Sequence, residues 1–331
     1  MSFDLATIWA LLILLGVAIY TITDGFDLGV GMLFPLMRSD HERDQLMNSV
    51  APVWDGNETW MVLGGAALFG AFPMIYSLLL SALYLPIIFM LIALIFRGVS
   101  FEFRARATDR ARPYWDFAFF FGSLIATLFQ GVIAGAFISG FPMMDGVYSG
   151  GAWDWLTPFN LLAGVAILFF YLLLGATWLI KKSEGVVQER IYKVVNKIAL
   201  TFGVLALLLF IMTLIKHRLS IPSGKYPIYL ALLIFTLLFG YLFRSSVKQH
   251  HADWKPFFLT VGFALLGAIA LVVTIWPYVL PFDLTIWEAA SPESSLRFTL
   301  IGAFIFLPIV IAYNLFIYYI FRGKVQEGEG Y

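Results

Sequence analysis

Nine stretches of this sequence run for 18 to 31 residues with little charge, and that repetition limits the possible folds more than any other feature. A transmembrane helix needs about 20 mostly apolar residues to cross a hydrocarbon layer about 30 Å thick. The stretches near 7–37, 53–73, 76–96, 115–138, 158–180, 198–215, 226–243, 256–277 and 297–321 meet that need. Only FPMIYS (72–77) separates the second from the third. With 61% hydrophobic and 13% charged residues, and a mean hydropathy of +0.87, the chain could not cover a water-facing surface. Soluble domains carry about 25% charge. The expected fold is an all-α polytopic membrane protein of about nine transmembrane helices, forming a single integral membrane domain over 1–331.

Orientation follows from where Lys and Arg fall. Of the 21 basic residues, all but Lys216, Arg218, Lys225 and Arg297 lie in 38–52, 97–114, 181–197, 244–255 or the tail after 321. These connections are expected on the cytoplasmic side, with the N-terminus outside and the C-terminus inside. The first span carries two Asp and lacks a basic leader and a small-residue cleavage site, so it reads as a mature helix rather than a signal peptide. The connections are short, and none offers room for a separate soluble catalytic domain.

Several chemistries drop out early. Without cysteine there is no disulfide, thiolate nucleophile, Fe–S cluster or Cys-bound zinc. Net charge is zero and there is no basic patch for nucleic acid. The sequence holds no Walker A, GxSxG or HExxH pattern. His41, His217, His250 and His251 all fall in or beside connections, whereas haem iron in a bundle takes an axial His or Met from within a helix. This chain is therefore expected to ligate no haem alone. HHAD (250–253) lacks a clustered third ligand and is a weak metal hint.

The informative residues are acids inside oily segments. In DGFDLGVG (24–31), Asp24 and Asp27 share one face of the first helix, about 25 Å from its outer start. An Asp at mid-membrane costs about 2.5–3.5 kcal/mol on the insertion scale, so the pair needs a protein-buried or hydrated setting. Gly25 and Gly29 form a GxxxG step that lets another helix backbone approach. In PVWDGNETW (52–60), Asp55 and Glu58 repeat the three-residue spacing at the start of the second span, flanked by Trp54, Asn57 and Trp60. Neighbouring carboxylates cannot all stay charged in a low dielectric, so these four would share protons and form an entry path from the cytoplasm.

A structural reading stays open. Asp55 and Glu58 can serve as first-turn acids for the helix dipole, and Asp24 and Asp27 can pair with Arg97 or Arg104. The Arg-rich FRGVSFEFRARATDRAR (96–112) can be a positive-inside anchor, or Arg97 with Glu102 can be the charge partner of the acids. A stand-alone proton-coupled transporter would also use buried acids, but it predicts broken helices and repeat symmetry. A purely structural partner of a catalytic subunit is a third possibility.

In order, ITDGFDLGVGML, SVAPVWDGNETWMV, GGAALFGAFPMIYS, FRGVSFEFR and LTPFNLLAGV resemble subunit II of the cytochrome bd-type quinol oxidases, a family that includes a cyanide-insensitive branch. The resemblance implies two four-helix bundles plus one peripheral helix, set beside a subunit I that holds haem b and haem d (or a further haem b). It also implies a bacterial plasma membrane location, quinol and oxygen as substrates of the complex, and a possible structural quinone and small single-span accessory subunit. Oxygen would be reduced to water with protons drawn from the cytoplasm. Carried onto these positions, the WDGN aspartate is Asp55, the intake group, and the second DGFD aspartate is Asp27, the relay. Asn57 would order water, Trp60 would line the subunit interface or an oxygen route, and Arg97 would close the third span. The resemblance ties Glu58 less closely to this role, since other members of the family can carry a non-acidic residue after WDGN.

Overall fold

The computed structural model describes residues 4–144, 146–217, 222–249 and 253–325. Among them the chain forms ten α-helices: α1 (Leu5–Leu33), α2 (Asp40–Val50), α3 (Trp54–Ala71), α4 (Pro73–Ala105), α5 (Arg112–Ser139), α6 (Pro158–Lys182), α7 (Gly185–Lys216), α8 (Tyr226–Gln249), α9 (Trp254–Ile275) and α10 (Glu293–Ile320). Two short hairpins, Met143–Met144 with Val147–Tyr148 and Tyr278–Leu280 with Leu284–Thr285, lie in the long connections. His250, His251 and Arg218 fall outside the described residues, as does the tail from 326.

The ends of the helices follow local chemistry. Asp4 caps α1 by accepting the Thr7 N–H at 2.7 Å. Pro35 lies in a 3-10 turn, Phe34–Leu36, so α1 stops at Leu33 rather than near residue 37. The connection expected over 38–52 is mostly α2, whose Ser39 side chain accepts the Glu42 N–H at 3.2 Å. That is one half of an S-x-x-E capping box. Phe72 alone separates α3 from α4. Non-helical angles at Leu83 bend α4 three residues before Pro86, which lacks the N–H to continue the ladder.

Two helices are longer than their apolar cores. α4 continues to Ala105, so Arg97 sits inside it rather than closing it, and most of 97–114 is helical. α7 begins at Gly185, because QERIYKVVNK keeps helical periodicity with Val187, Ile191 and Val195 facing inward. Among the described residues, eight helices are long and apolar enough to cross a membrane. α3 is not in that set, because its first turns carry Asp55, Asn57, Glu58 and Thr59. A count of nine spans therefore rests on α3, whose 18 residues rise about 27 Å.

α1, α3, α4 and α5 pack each on the next, and α6 through α9 form a second set. The two sets share a wide seam, since α6 also runs along α1 and α5. α10 lies mainly against α1 and α3. The seam is built on small residues. A Cβ on Gly29 would fall onto the Tyr171 carbonyl oxygen and come within 2.8 Å of the Gly175 nitrogen. Gly25 faces the Tyr171 ring, so the GxxxG step is where α6 approaches α1. Gly29→Ala is expected to force these backbones apart and cost about 1–3 kcal/mol. A thermal unfolding series on the purified complex measures this, and an unchanged midpoint would count against the close contact.

Candidate functional site

The site forms where the last third of α1 meets the first turns of α3 and the second half of α4. Most of the Lys and Arg lie at this end of the molecule, called here the basic end. In α3, the Asn57 N–H bonds to the Val53 carbonyl at 3.0 Å, starting the helix at WDGN. Helical spacing then turns Asn57 and Trp60 inward and leaves Asp55 and Thr59 exposed. Glu58 lies between these faces, with its side chain 24% exposed.

Arg97 is the hub. Its side chain is fully buried, as are those of Asp24 and Asp27. Its guanidinium pairs with Asp24 in a short ion pair, and Nη1 lies 3.7 Å from Glu58. The guanidinium carbon sits 5.6 Å from the centroid of the half-buried Trp54 ring, which stacks on Phe101 at 5.0 Å. Gly122 of α5 allows this crowding, because a Cβ there would lie 2.9 Å from the Arg97 backbone nitrogen.

Asp27 has different company. Asn57 Nδ2 donates to its Oδ2 at 2.7 Å, and Tyr318 of α10 donates its hydroxyl to Asn57 Oδ1 at 2.6 Å. Asn57 Nδ2 also reaches the Thr23 carbonyl at 3.4 Å. One aspartate of DGFD thus faces a permanent cation, and the other is held by a neutral amide. Among the described residues, no ion pair or hydrogen bond joins the Asp55 side chain to this buried set.

Two sequence expectations need correction. Arg104 does not meet the DGFD acids. It pairs with Asp44 and, at 2.5 Å, with Asp116, and Arg43 reaches the same Asp116 at 2.9 Å. This separate ionic cluster ties α2 to α4 and α5. Glu102 is exposed and pairs with Arg106 at 3.3 Å, so it is not a buried partner of Arg97. Trp60 is buried within this chain, while Asp55 and Thr59 on the same helix are exposed.

The structure adds residues that the motifs did not reveal. Ser123, Thr127 and Gln130 recur at i, i+4 and i+7 on α5, which places them on one face. Ser123 abuts Gly31 of α1, and Gln130 Nε2 donates to the Tyr20 oxygen at 2.7 Å. Because α5 runs antiparallel to α1, Thr127 lies at the level of Asp24 and Asp27. The Tyr171 hydroxyl donates to Gln130 Oε1 at 2.9 Å. Asp24 Oδ2, Asp27 Oδ1 and the hydroxyls of Ser123 and Thr127 are all buried and still able to take a hydrogen bond. Polar residues at helical spacing in an apolar span were the available signal. Tyr318 gave none, since an aromatic near the end of a span reads as a membrane-interface residue.

Of the described histidines, His41 lies exposed on α2 at the basic end, and His217 follows α7 at the opposite end against Phe282. They cannot share an iron, so these residues do not fit a haem with two axial histidines. Among the described residues, no group of three His, Asp or Glu could hold a metal ion.

Comparisons with known proteins bear on this geometry. Residues 5–321 match the family described as Cytochrome bd terminal oxidase subunit II. The chain belongs to that family. Cytochrome bd-I ubiquinol oxidase subunit 2 of Escherichia coli (strain K12) is 30% identical over 362 aligned positions, covering 97% of this chain and 95% of that one. Cytochrome bd ubiquinol oxidase subunit 2 of Bacillus subtilis (strain 168) is 30% identical over 336 positions, covering 98% of each. The structure of bd oxidase from Geobacillus thermodenitrificans matches with a TM-score of 0.79 at 16% identity, covering 96% of this chain and 98% of that one. As a member of the family, the chain is a subunit of a respiratory terminal oxidase, an oxidoreductase complex in a membrane.

Breaking the central ion pair should be costly. Removing one member of a buried pair leaves an uncompensated charge worth about 3–5 kcal/mol. Arg97→Gln is expected to lower the yield of assembled complex sharply, and Asp24→Asn combined with it is expected to restore much of that yield. Quantifying purified complex from both strains measures this, and a double variant no better than Arg97→Gln would sink the pairing.

Proposed function

We propose that this chain is the subunit of a quinol oxidase that carries protons from the cytoplasm toward oxygen chemistry in subunit I. Haem b and haem d belong, on this reading, to subunit I. Quinol is the reductant and oxygen is reduced to water. The charge asymmetry and the family support a nine-span topology, with α3 as a span and the basic end in the cytoplasm of a bacterial cell. A structural quinone and a small accessory subunit remain implications of that family.

One observation carries the proton reading: the carboxylates are graded in burial along a single route. Asp55 is exposed at the basic end, Glu58 is partly exposed one turn further in, and Asp27 is fully enclosed. In this scheme Asp55 collects a proton, Glu58 passes it inward, and Asp27 exchanges it. Asp24 is the partner of Arg97 and stays out of the relay. One guanidinium cannot neutralise Asp24, Asp27 and Glu58 together in a low dielectric, and a proton shared within the set would relieve the excess charge. Asn57, oriented by Tyr318, fixes where Asp27 points. The free hydrogen-bonding capacity at Asp27, Ser123 and Thr127 suits ordered water as the carrier between side chains.

The opposite direction is closed. Gln130 has its oxygen taken by Tyr171, and its nitrogen donates to Tyr20. A carboxamide does not readily relay a proton, so this chain ends the polar track toward the outer side. Trp54, Trp60 and Arg97 then act as the frame of the route, not as carriers.

Asp27→Asn and Asp55→Asn are each expected to slow oxygen consumption by quinol while leaving assembly and the haem spectrum of the complex intact. Wild-type turnover in either assembled variant would remove that residue from the path. For the division of labour, subunit I and this chain are separated after purification and their visible spectra recorded. Haem absorbance is expected with subunit I, and a haem spectrum travelling with this chain would overturn the assignment.

A further inference from the structure

A cavity of about 360 Å³ opens at the basic end between the turn after α1 and the start of α7, away from the acid track. It is lined by Leu36, Arg38, Val186, Glu189, Arg190 and Lys193. On α7 the lining residues recur at i, i+3, i+4 and i+7, so one helix face supplies a wall. We propose that this cavity binds the phosphodiester headgroup of an anionic phospholipid of the phosphatidylglycerol type.

The charges support that occupant. Arg190 is held in place by Glu42, at 2.5 and 3.0 Å, and by the Leu36 carbonyl at 2.9 Å. Glu42 also accepts the Arg38 N–H at 2.6 Å, so Arg190 and the loop form a rigid floor with little net charge. Arg38 and Lys193 are both exposed, and neither has an acid within 4 Å among the described residues. Against them stands Glu189. The lining and its Glu42 brace thus sum to one positive charge, which matches one phosphodiester. Arg presents paired donors to phosphate oxygens, and Lys a point charge.

The position supports a lipid rather than a soluble ligand. The apolar part of α7 begins near residue 198, so Lys193 lies about 8 Å beyond the hydrocarbon edge. That is the headgroup zone, which extends roughly 5–8 Å on each side. Leu36 is exposed beside the cations, at 37%, and gives the glycerol an apolar contact. Basic pockets between helices at this level suit anionic headgroups.

The test uses the whole oxidase complex, carried from phosphatidylcholine nanodiscs containing some phosphatidylglycerol into native mass spectrometry. Wild type is expected to retain one phosphatidylglycerol more than the Arg38→Gln/Lys193→Gln double variant. Removing the two cations should weaken retention roughly thirtyfold, at about fivefold each. Both side chains are exposed, so assembly should survive. If it does not, Glu189→Gln decides alone: it should tighten retention, and unchanged or weaker retention overturns the proposal in favour of a zwitterionic lipid or none. Equal retention by wild type and the double variant also overturns it. Excess inorganic phosphate that displaces the lipid would identify free phosphate as the occupant and overturn the lipid assignment.

Discussion

A guanidinium cannot remain unpaired among hydrocarbon, and the arrangement of helices around Arg97 follows from that constraint. Arg97 lies on α4, its carboxylate Asp24 on α1, and its second acid Glu58 on α3. Satisfying the charge fixes how far these three helices can slide past one another. The Trp54 ring, stacked on Phe101, covers the guanidinium from one side. The adjacent neutral contact, Asp27 with Asn57, then falls at a defined height because its helices are already registered. Ionic pairing sets the geometry, and it leaves one acid, Asp27, beside a neutral amide rather than a cation.

Such pairing needs backbones close enough for short side chains to meet, and glycine provides that. Gly29 and Gly175 meet face to face between α1 and α6. Gly122 lets α5 lie against Ala93 and Arg97 of α4, while Gly131 and Gly135 do the same for α5 against α6. In a membrane, apolar burial gives little preference for helix contact over lipid contact. Close packing at small residues supplies that preference, which explains why the oily faces of α7, α8 and α10 remain largely uncovered while α6 is enclosed.

What could be read in the sequence was whatever violates the membrane's own rules. Acids in an apolar run announce a site, and DGFD and WDGN were found that way. Arg97 could be named as a partner, but its competitors Arg104 and Glu102 could not be sorted from it. The choice depends on which residues α4 carries inward once it continues to Ala105. α2 was hidden because its polar composition reads as a loop, although SDHE (39–42) carried a capping pattern. Ser123 and Thr127 were hidden for the opposite reason: a hydroxyl in an apolar helix can bond to its own backbone and needs no partner elsewhere. Only their position opposite Gly31 and the DGFD face gives them a role.

α10 shows how a loosely packed element can still be held to a precise task. Only Leu296 of its length is buried, and the helix meets α1 and α3 along a limited edge. Packing alone would leave Tyr318 free to drift from Asn57. The end of α10 is instead tied to α6: Lys182, at the close of α6, donates to the Phe321 and Gly323 carbonyls, and the Val325 N–H returns to the Lys182 carbonyl at 2.8 Å. A cation at a helix C-terminus satisfies carbonyls that would otherwise be orphaned. Lys324 extends the tie to Asp253 at 2.6 Å. Burial opposes the Asp253 charge, but Lys324, Gln188 and Tyr192 outweigh it and hold that carboxyl below its usual range, so the tie persists at neutral pH. Tyr318 lies one turn before this clasp. The orientation of Asn57, and through it the Asp27 oxygen left without a hydrogen-bond partner, is therefore tied from the far side of the seam to the last turn of α6.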